Sequence, residues 1–371
     1  MGSEIMLLGY GAVCLSMLVF NVVNSLVMKK KELRLDKRCK KLEEKVRVQT
    51  GYIKDGRTVE EKHIRYLSQR LSSVKNLAAF DRVMEHYLGD EDDRTVWEYR
   101  NQIQPAILHL AFIYLNRGDM EAAYFAWFLS KNIPKRYQGM VAVEEIMVQY
   151  MKKRNLYCRV NALDALYGFG SAESIVKALT LLSQEGGFIH EKILTDGLLT
   201  FTGSHEKLIE LLWENIGRLS DKIQLAVLSY IRFKSGSYCE SMFEIMTDAG
   251  RDKEQRLMAI RYFGRYFYEP ALEPLLTFVS DLNPFNWEYA AISASSLAKY
   301  SGEKVILALM AAVHSPNWHV RYNAAASLEA SGPNDWETMD AAGRNDRYAR
   351  EMLMYRMELK RVRETKRRNL A

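Results

Sequence analysis

The second half of the sequence repeats itself with a period of about 32 residues. Residues 158–170 read CRVNALDALYGFG, residues 191–203 read EKILTDGLLTFTG and residues 320–332 read VRYNAAASLEASG. Aligned without gaps, the three segments superimpose one basic residue, one leucine and one glycine each: Arg159, Lys192 and Arg321, then Leu166, Leu199 and Leu328, then Gly170, Gly203 and Gly332. The first two segments are one period apart, and the third follows the second after four periods. A period of about 31 to 34 residues with two helices per unit is typical of an α-solenoid, so we predict an all-α chain of stacked helix pairs.

Further units fill the interval between these segments. Residues 254–266 (EQRLMAIRYFGRY) repeat the spacing of the last unit, and the pair Asn286-Trp287 recurs one period later as Asn317-Trp318. Small alanines let neighbouring units approach, and we expect the terminal glycine to adopt the left-handed conformation that ends a helix. We therefore interpret residues 151–350 as repeats, in which these positions are structural and the two tryptophans pack between units.

Two strings in this region carry a resemblance to a known family. SPNWHVRYNAAASLEASG and NPFNWEYAAISASSLAKYSG resemble bacterial HEAT repeats of the type first noted in phycobilisome lyases. The resemblance covers roughly residues 155–350 and is clearest in the last two units. It implies curved stacks of helix pairs that act as a binding surface. It transfers no reaction, because HEAT arrays serve many roles.

An uncharged apolar segment precedes a basic block at the N-terminus. The segment, residues 5–28, is long enough for a helix across the roughly 30 Å hydrocarbon core of a bilayer. The basic block follows the segment, unlike in a cleavable signal peptide, and includes Lys29, Lys30, Lys31, Arg34, Lys37 and Arg38. By the positive-inside rule we predict a single-pass protein of the bacterial inner (plasma) membrane, with its N-terminus outside and its bulk in the cytoplasm. The block is also a candidate for contact with anionic lipid.

The net charge of +6 is located at the two ends of the soluble part. Residues 29–47 carry a net +6 and residues 347–371 another +6, whereas residues 48–346 sum to −5. A nucleic-acid-binding body is expected to be basic along its length, so we predict no nucleic-acid partner. The four cysteines form no CxxC pair, which fits a reducing compartment.

The segments that flank the repeats are predicted to be helical as well. We expect a basic juxtamembrane helix over 29–51, interrupted at Gly51 and Gly56, and a helical lead-in over 52–150 that includes one helix from Ile64 to about Leu88. Within the lead-in, LNRGDMEAAYFAWFL (115–129) resembles a tetratricopeptide unit. Residues 351–371 are a capping helix and a basic tail. We expect the cations of this tail to contact solvent, the inner leaflet or an acidic partner. They are Arg361, Arg363, Lys366, Arg367 and Arg368.

Motifs of catalysis are not found in the sequence. GxSxG, Walker A, HExxH and GxGxxG signatures are absent, so we expect no catalytic residue, no cofactor and no metal. The pairs His190-Glu191 and His205-Glu206 resemble those of the di-iron HEAT-repeat deoxyhypusine hydroxylases. Here, however, they open two helices of one unit and do not recur in successive units, so we interpret them as solvated helix starts.

These features together predict a membrane-anchored cytoplasmic scaffold or adaptor that binds a cytosolic or membrane protein through its repeat surface. By fold-level analogy with anchored HEAT proteins, we expect an accessory subunit of an envelope enzyme, such as a polysaccharide glycosyltransferase. Two alternatives stay open. One is a HEAT-based enzyme, either a lyase or a metal-dependent hydroxylase, and the other is a signalling adaptor that senses a ligand.

Overall fold

The chain is all-helical in a computed structural model that describes residues 2–89, 93–132, 140–331 and 346–370. This described part contains nineteen α-helices joined by turns and short 3₁₀ helices, and it contains no β-strand. The prediction of an all-α chain is therefore confirmed. Two compact units can be separated. Unit 1 comprises Met1–Ile189 and Thr200–Ser204, and unit 2 comprises His190–Leu199 and His205–Ala371.

Unit 1 is built from two rows of helices. Helices α1, α3, α6 and α8 pack in succession along one row, and α2, α5, α7 and α9 along the other. Asn155 caps α8 by accepting a hydrogen bond from the Tyr157 N–H, and Ser171 caps α9 by accepting one from the Ser174 N–H. The bounds of the helices in the described part of unit 1 are α1 Gly2–Lys54, α2 Glu61–Arg70, α3 Val74–His86, α4 Asp93–Gln102, α5 Gln104–Leu115, α6 Asp119–Asn132, α7 Val141–Gln149, α8 Leu156–Phe169 and α9 Ala172–Gln184.

Helix α1 joins the apolar segment to the body of unit 1 without a break. Gly9–Lys54 is long and apolar enough to cross a membrane, since its most apolar 18-residue window has a mean hydropathy of 1.9 and is 0% buried. Farther along the same helix, Leu42 and Val46 are buried. The interruption expected at Gly51 is absent, because that residue lies inside α1 and the turn follows at Gly56, whose φ of 76° is left-handed. The basic segment is therefore a continuous helical extension of the apolar one.

The single lead-in helix expected from Ile64 to Leu88 is wrong, because the structure has two helices, α2 and α3, in its place. Ser73 is extended between them, with φ −93° and ψ 127°. The carbonyl groups at the break find partners outside the helix: the Tyr114 hydroxyl donates to Leu71 O at 2.8 Å, and the Asn76 side chain donates to Arg70 O at 2.9 Å. Both helices bury apolar residues in the same core, so the apolar spacing runs on across the turn.

His63 on α2 gives unit 1 a pH-dependent stability. Its Nε2 is 2.9 Å from the hydroxyl of the fully buried Tyr99. Burial, with a smaller contribution from Lys45, lowers the pKa of His63 to about 4 from 6.5. Because the folded-state pKa is the lower one, the unfolded chain takes up the proton first as the pH falls. The stability that neutral His63 contributes is present above pH 6.5, and it is lost between pH 6.5 and 4.

We expect His63→Gln to reduce this acid sensitivity. Wild-type protein should lose about 2 to 3 kcal/mol more unfolding free energy than the variant between pH 7 and pH 4.5, since a shift of one pKa unit is worth about 1.4 kcal/mol. Urea unfolding of the detergent-solubilised protein at the two pH values measures the difference. His86→Gln, at an exposed histidine of the same unit, is the matched control and should follow the wild type. Equal losses in all three proteins would contradict a neutral, buried His63.

Unit 2 contains the helices of the predicted repeat region from α10 onward, whereas α8 and α9, which hold its first segment, belong to unit 1. In one row α10, α12, α14, α16, α18 and α19 pack in succession, and each of α11, α13, α15 and α17 packs against the helix that follows it. The first five helices of the row start at intervals close to the repeat period. The bounds of the helices in the described part of unit 2 are α10 Glu191–Leu199, α11 His205–Glu214, α12 Asp221–Lys234, α13 Cys239–Thr247, α14 Lys253–Phe263, α15 Leu272–Val279, α16 Trp287–Ser296, α17 Glu303–Ala312, α18 Trp318–Ser331 and α19 Arg347–Leu370.

Neighbouring helices of this row approach closely enough for side chains of one to reach the backbone of the next. Thr195 on α10 donates to Ala226 O at 3.2 Å, and Ser296 on α16 donates to Ile260 O at 2.9 Å. Asn323 and Ser327 on α18 donate to carbonyls of α16 at 2.8 and 2.7 Å. Alanines at the contacts, such as Ala259, Ala290 and Ala324, leave the space for this approach, and their burial is complete or nearly so.

Candidate binding surface

The arginines that recur in the repeats tie each helix to the turn before it. Arg321 donates through Nη1 to Ser315 O at 2.7 Å and to Pro316 O at 3.0 Å. Arg256 donates through Nε to Met246 O at 3.1 Å, and Arg159 through Nη2 to Arg154 O at 3.3 Å. Lys192 is exposed. The three arginines at this repeated position thus have one structural role: each donates a hydrogen bond to a carbonyl group of the preceding turn or helix end.

The leucines and glycines at the repeated positions fall into different environments. Leu166 and Leu328 are buried, whereas Leu199 is half-buried and its neighbour Leu198 is buried instead. Gly170 ends α8 with a left-handed φ of 82°, as expected. The same expectation is wrong for Gly203, whose φ is not positive. That residue is small for another reason, because a Cβ there would overlap the Gly170 carbonyl oxygen. Gly332 lies outside the described residues.

A row of stacked aromatic rings crosses the N-terminal ends of α16 and α18. The half-buried Trp287 ring stacks on the His319 imidazole at a centroid distance of 5.3 Å, and His319 meets the edge of Trp318 at 5.1 Å. Trp318 in turn stacks on Tyr322 at 5.0 Å. Trp287 therefore contacts α18, the next helix of the row, and packs between two successive predicted repeats within unit 2. Trp318 contacts its own helix, and 49% of its surface is exposed.

Arg356 of α19 contacts Tyr322, the last residue of this aromatic row. Its guanidinium carbon lies 5.2 Å from the Tyr322 ring centroid, and Nη1 donates to the Tyr322 hydroxyl at 3.1 Å. The same buried guanidinium pairs with Glu329, with Nη2 2.7 Å from Oε2. A buried cation with a carboxylate and a hydroxyl partner is well compensated, so the row is a preformed surface and not a set of independent rotamers.

The turn that precedes Trp287 in sequence presents two apolar side chains to solvent. Leu282 is 91% exposed and Phe285 is 84% exposed, both in the turn between α15 and α16. Asp281 holds this turn, since its carboxylate accepts from the Asn283 N–H and from the Asn286 side chain at 2.8 Å each. These two hydrogen bonds lower the pKa of Asp281. The high exposure of two large apolar side chains makes this turn a candidate contact site. We name Leu282, Phe285, Trp287, Trp318, His319 and Tyr322 the aromatic edge.

The basic residues at the two ends of the soluble part lie on long helices. Lys29, Lys30, Lys31, Arg34 and Lys37 are exposed on α1 and Arg38 is half-buried. Their acidic neighbours Glu32 and Asp36 pair with Arg82 of α3, at 2.9 and 3.6 Å, where unit 1 begins to pack on α1. On α19, Arg361 and Lys366 are exposed. The remaining tail residues Arg363, Arg367 and Arg368 belong to α19, and their side chains lie outside the described part.

One cavity of about 220 Å³ lies among α12, α13 and α14. Its polar groups pair with one another: Gln255 donates to Gln224 at 3.0 Å, and Arg251 pairs with Asp248 at 3.6 Å. Trp213 closes one side of the cavity. The lining is therefore largely satisfied within the protein, which makes this cavity a weaker candidate for a ligand site than the aromatic edge.

The two histidine–glutamate pairs lie at helix starts. His190 is exposed, and its Nδ1 is 3.5 Å from Glu191. His205 shares a hydrogen bond with the buried Tyr230 hydroxyl, and burial, followed by the nearby Lys234, lowers the His205 pKa. In the part of the chain that the structure describes, no three His, Cys, Asp or Glu side chains are grouped as ligands for a metal ion.

Comparison with known proteins returned no matching family model and no matching curated protein for this chain.

Proposed function

We propose that the protein is a membrane-anchored adaptor, whose repeat region is an α-solenoid of HEAT-like units that binds a protein partner at the aromatic edge. In this proposal α1 crosses the bacterial inner membrane with its N-terminus outside, and both units lie in the cytoplasm. The single observation that carries the proposal is the aromatic edge itself, a preformed, hydrogen-bonded surface with large apolar side chains left exposed.

The arrangement of helices supports the solenoid part of the proposal. Alternate helices of unit 2 pack in one row and start at intervals close to the repeat period, and each of α12, α14, α16 and α18 has a partner packed beside it. Stacked pairs at this spacing are typical of solenoids. Arrays of such helices commonly bind partners along one edge or face, so a contact site made of turns and helix starts fits this class.

The composition of the edge supports a protein as the partner. Trp and Tyr dominate the binding energy of protein interfaces, because a rigid ring buries much area at little conformational cost. Phe285 and Leu282 sit on a turn that is already ordered, so a partner need not order it. An envelope enzyme at the same membrane, such as a polysaccharide glycosyltransferase, is the class of partner we propose to look for.

Site-specific crosslinking in native membranes tests the proposal. A photo-crosslinking amino acid at Phe285 should yield a defined adduct of constant mass, whereas the same amino acid at Leu307, which is also exposed but lies on α17, should not. The double variant Leu282→Ser/Phe285→Ser should reduce co-purification of that partner at least tenfold. Because both side chains are exposed, its melting temperature should stay within about 2 °C of the wild type.

Two outcomes would contradict the adaptor function. One is a protein that is recovered alone from native membranes with every crosslinking position silent. The other is stoichiometric iron or a bound tetrapyrrole in the purified protein, which would favour the HEAT-based enzyme classes instead.

A further inference from the structure

Three arginines gather at the C-terminal ends of α12 and α14 in unit 2, away from the residues of the aromatic edge in sequence. Arg232 and Arg261 are half-buried in the last turns of their helices, and the exposed Arg265 follows α14. The guanidinium carbons of Arg232 and Arg265 lie 4.4 and 5.6 Å from the centroid of one ring, that of Phe233. Two cations, one on α12 and one just after α14, therefore share a single aromatic ring.

None of the three guanidinium groups has a carboxylate partner within ion-pair distance among the described residues. The Nε of Arg232 is fully buried and makes no hydrogen bond. Burial, together with Arg261 and Arg265, lowers the pKa of Arg232. Burial also lowers the pKa of Arg261, and the charge of Glu254 offsets this only in part.

Arg356, a buried arginine of the same unit, has the carboxylate partner that these three arginines lack among the described residues. Its buried guanidinium pairs with Glu329 and donates to the Tyr322 hydroxyl. The fold therefore supplies partners to a buried arginine at the end of unit 2 but leaves the cluster around Phe233 without a carboxylate.

Helix dipoles explain only part of this arrangement. A cation in the last turn of a helix is stabilised by the nearby carbonyl groups, which accounts for one arginine on each helix. Dipoles give no reason for Arg265, which follows the end of α14, to lie beside the Phe233 ring that Arg232 already contacts. Like charges that lie close together and are partly withdrawn from water, as in the half-buried Arg232 and Arg261, are costly unless an anion joins them.

We propose that Arg232, Arg261 and Arg265 form a binding site for the dianion of a phosphate monoester, with Phe233 as its apolar floor. A guanidinium offers paired donors that match the oxygens of phosphate. Three cations favour this ligand over a single carboxylate, because a monoester carries up to two negative charges and three acceptor oxygens. The monoester is either a soluble small molecule or the headgroup of phosphatidic acid. This site is independent of the partner contact at the aromatic edge.

Binding assays with the full-length protein in detergent test the site. The soluble arm titrates phenyl phosphate by calorimetry at pH 7.5, and the lipid arm measures binding to vesicles of phosphatidylcholine with and without phosphatidic acid. Saturable binding in either arm supports the site and identifies its source. Arg232→Gln should weaken that binding at least tenfold, and so should Arg265→Gln, which changes an exposed side chain and leaves folding unaffected. Arg251→Gln, at an exposed arginine already paired with Asp248, is the control and should stay within twofold of the wild type.

A second readout separates a ligand site from a structural role. If the three cations are held together without an anion, Arg232→Gln should raise the melting temperature of the ligand-free protein while it removes the stabilisation by phenyl phosphate. The proposal is overturned if the wild-type protein shows no saturable binding in either arm, or if Arg232→Gln and Arg265→Gln bind as tightly as Arg251→Gln.

Discussion

Gly203→Ala should destabilise unit 1 by about 3 kcal/mol, whereas Gly168→Ala, a substitution of the same size, should stabilise it by up to about 1 kcal/mol. A Cβ on Gly203 would overlap the carbonyl oxygen of Gly170 and lie 2.5 Å from Cζ of Phe201. Neither neighbour can give way cheaply, because one is backbone at a left-handed turn and the other is a ring only 4% exposed. Gly168 lies inside α8 with no atom within 4 Å of its Cβ position, so alanine there adds helix propensity alone.

Gly170→Ala completes the series with an intermediate loss. Its φ of 82° disfavours any residue with a Cβ by about 1 kcal/mol, and that Cβ would lie 3.2 Å from Oγ1 of Thr202. Urea unfolding of the three variants measures the order, and hydrogen exchange of the α8 amides assigns the change to unit 1. If Gly203→Ala were as stable as the wild type, the close contact between the two turns would be contradicted.

These glycines show what the repeat period reveals and what it leaves out. The alignment places Gly170 and Gly203 at equivalent positions, and both do require glycine. Only the first ends its helix in the left-handed conformation that a helix terminus suggests. Gly203 must be glycine because it packs against the carbonyl oxygen of Gly170. The two residues are far apart in sequence, so a local sequence pattern does not predict this contact.

The aromatic edge is predictable in the same partial way. The repeated asparagine–tryptophan pairs point to Trp287 and Trp318, but the residues that join them into one surface carry no such signal. Arg356 reaches Tyr322 only because α19 packs on α18, and this docking follows no repeat. Phe285 and Leu282 are apolar residues that a sequence pattern assigns to a core, and their exposure depends on hydrogen bonds made within the turn.

The arginine cluster has no sequence signal of its own. Its members come from the ends of two successive row helices, about one repeat apart, and the unit around α12 matches the repeat poorly. Without a reliable register for that unit, the side chains that meet at Phe233 cannot be inferred. The composition does record that cations outnumber anions, but that excess lies at the ends of the soluble part and not in unit 2's middle helices.

Removal of residues 1–28 should move the protein almost completely from the membrane fraction to the soluble fraction. The most apolar window of α1 is 0% buried, so its loss takes no packed side chain from unit 1. The remaining part of α1 keeps its buried residues, Leu42 and Val46, and its ion pairs to Arg82. The unfolding free energy of the shortened protein should therefore equal that of the full chain within about 1 kcal/mol. A shortened protein that still sediments with membranes would show that the basic block or the α19 tail binds lipid on its own.

Val46→Asp is the complementary variant in the same helix. An unpaired carboxylate at this fully buried position should cost about 3 to 5 kcal/mol of unfolding free energy, while the apolar segment and its membrane association stay intact. The two changes thus separate two parts of one unbroken helix: the proposed membrane attachment before Lys29 and the core packing from Leu42 onward. Because α1 is continuous between them, three glycines inserted after Lys31 should leave both stability and sedimentation unchanged but uncouple the orientation of unit 1 from the membrane. Loss of the Phe285 crosslink in that insertion variant, with sedimentation intact, would show that the partner is itself held at a fixed place relative to the bilayer.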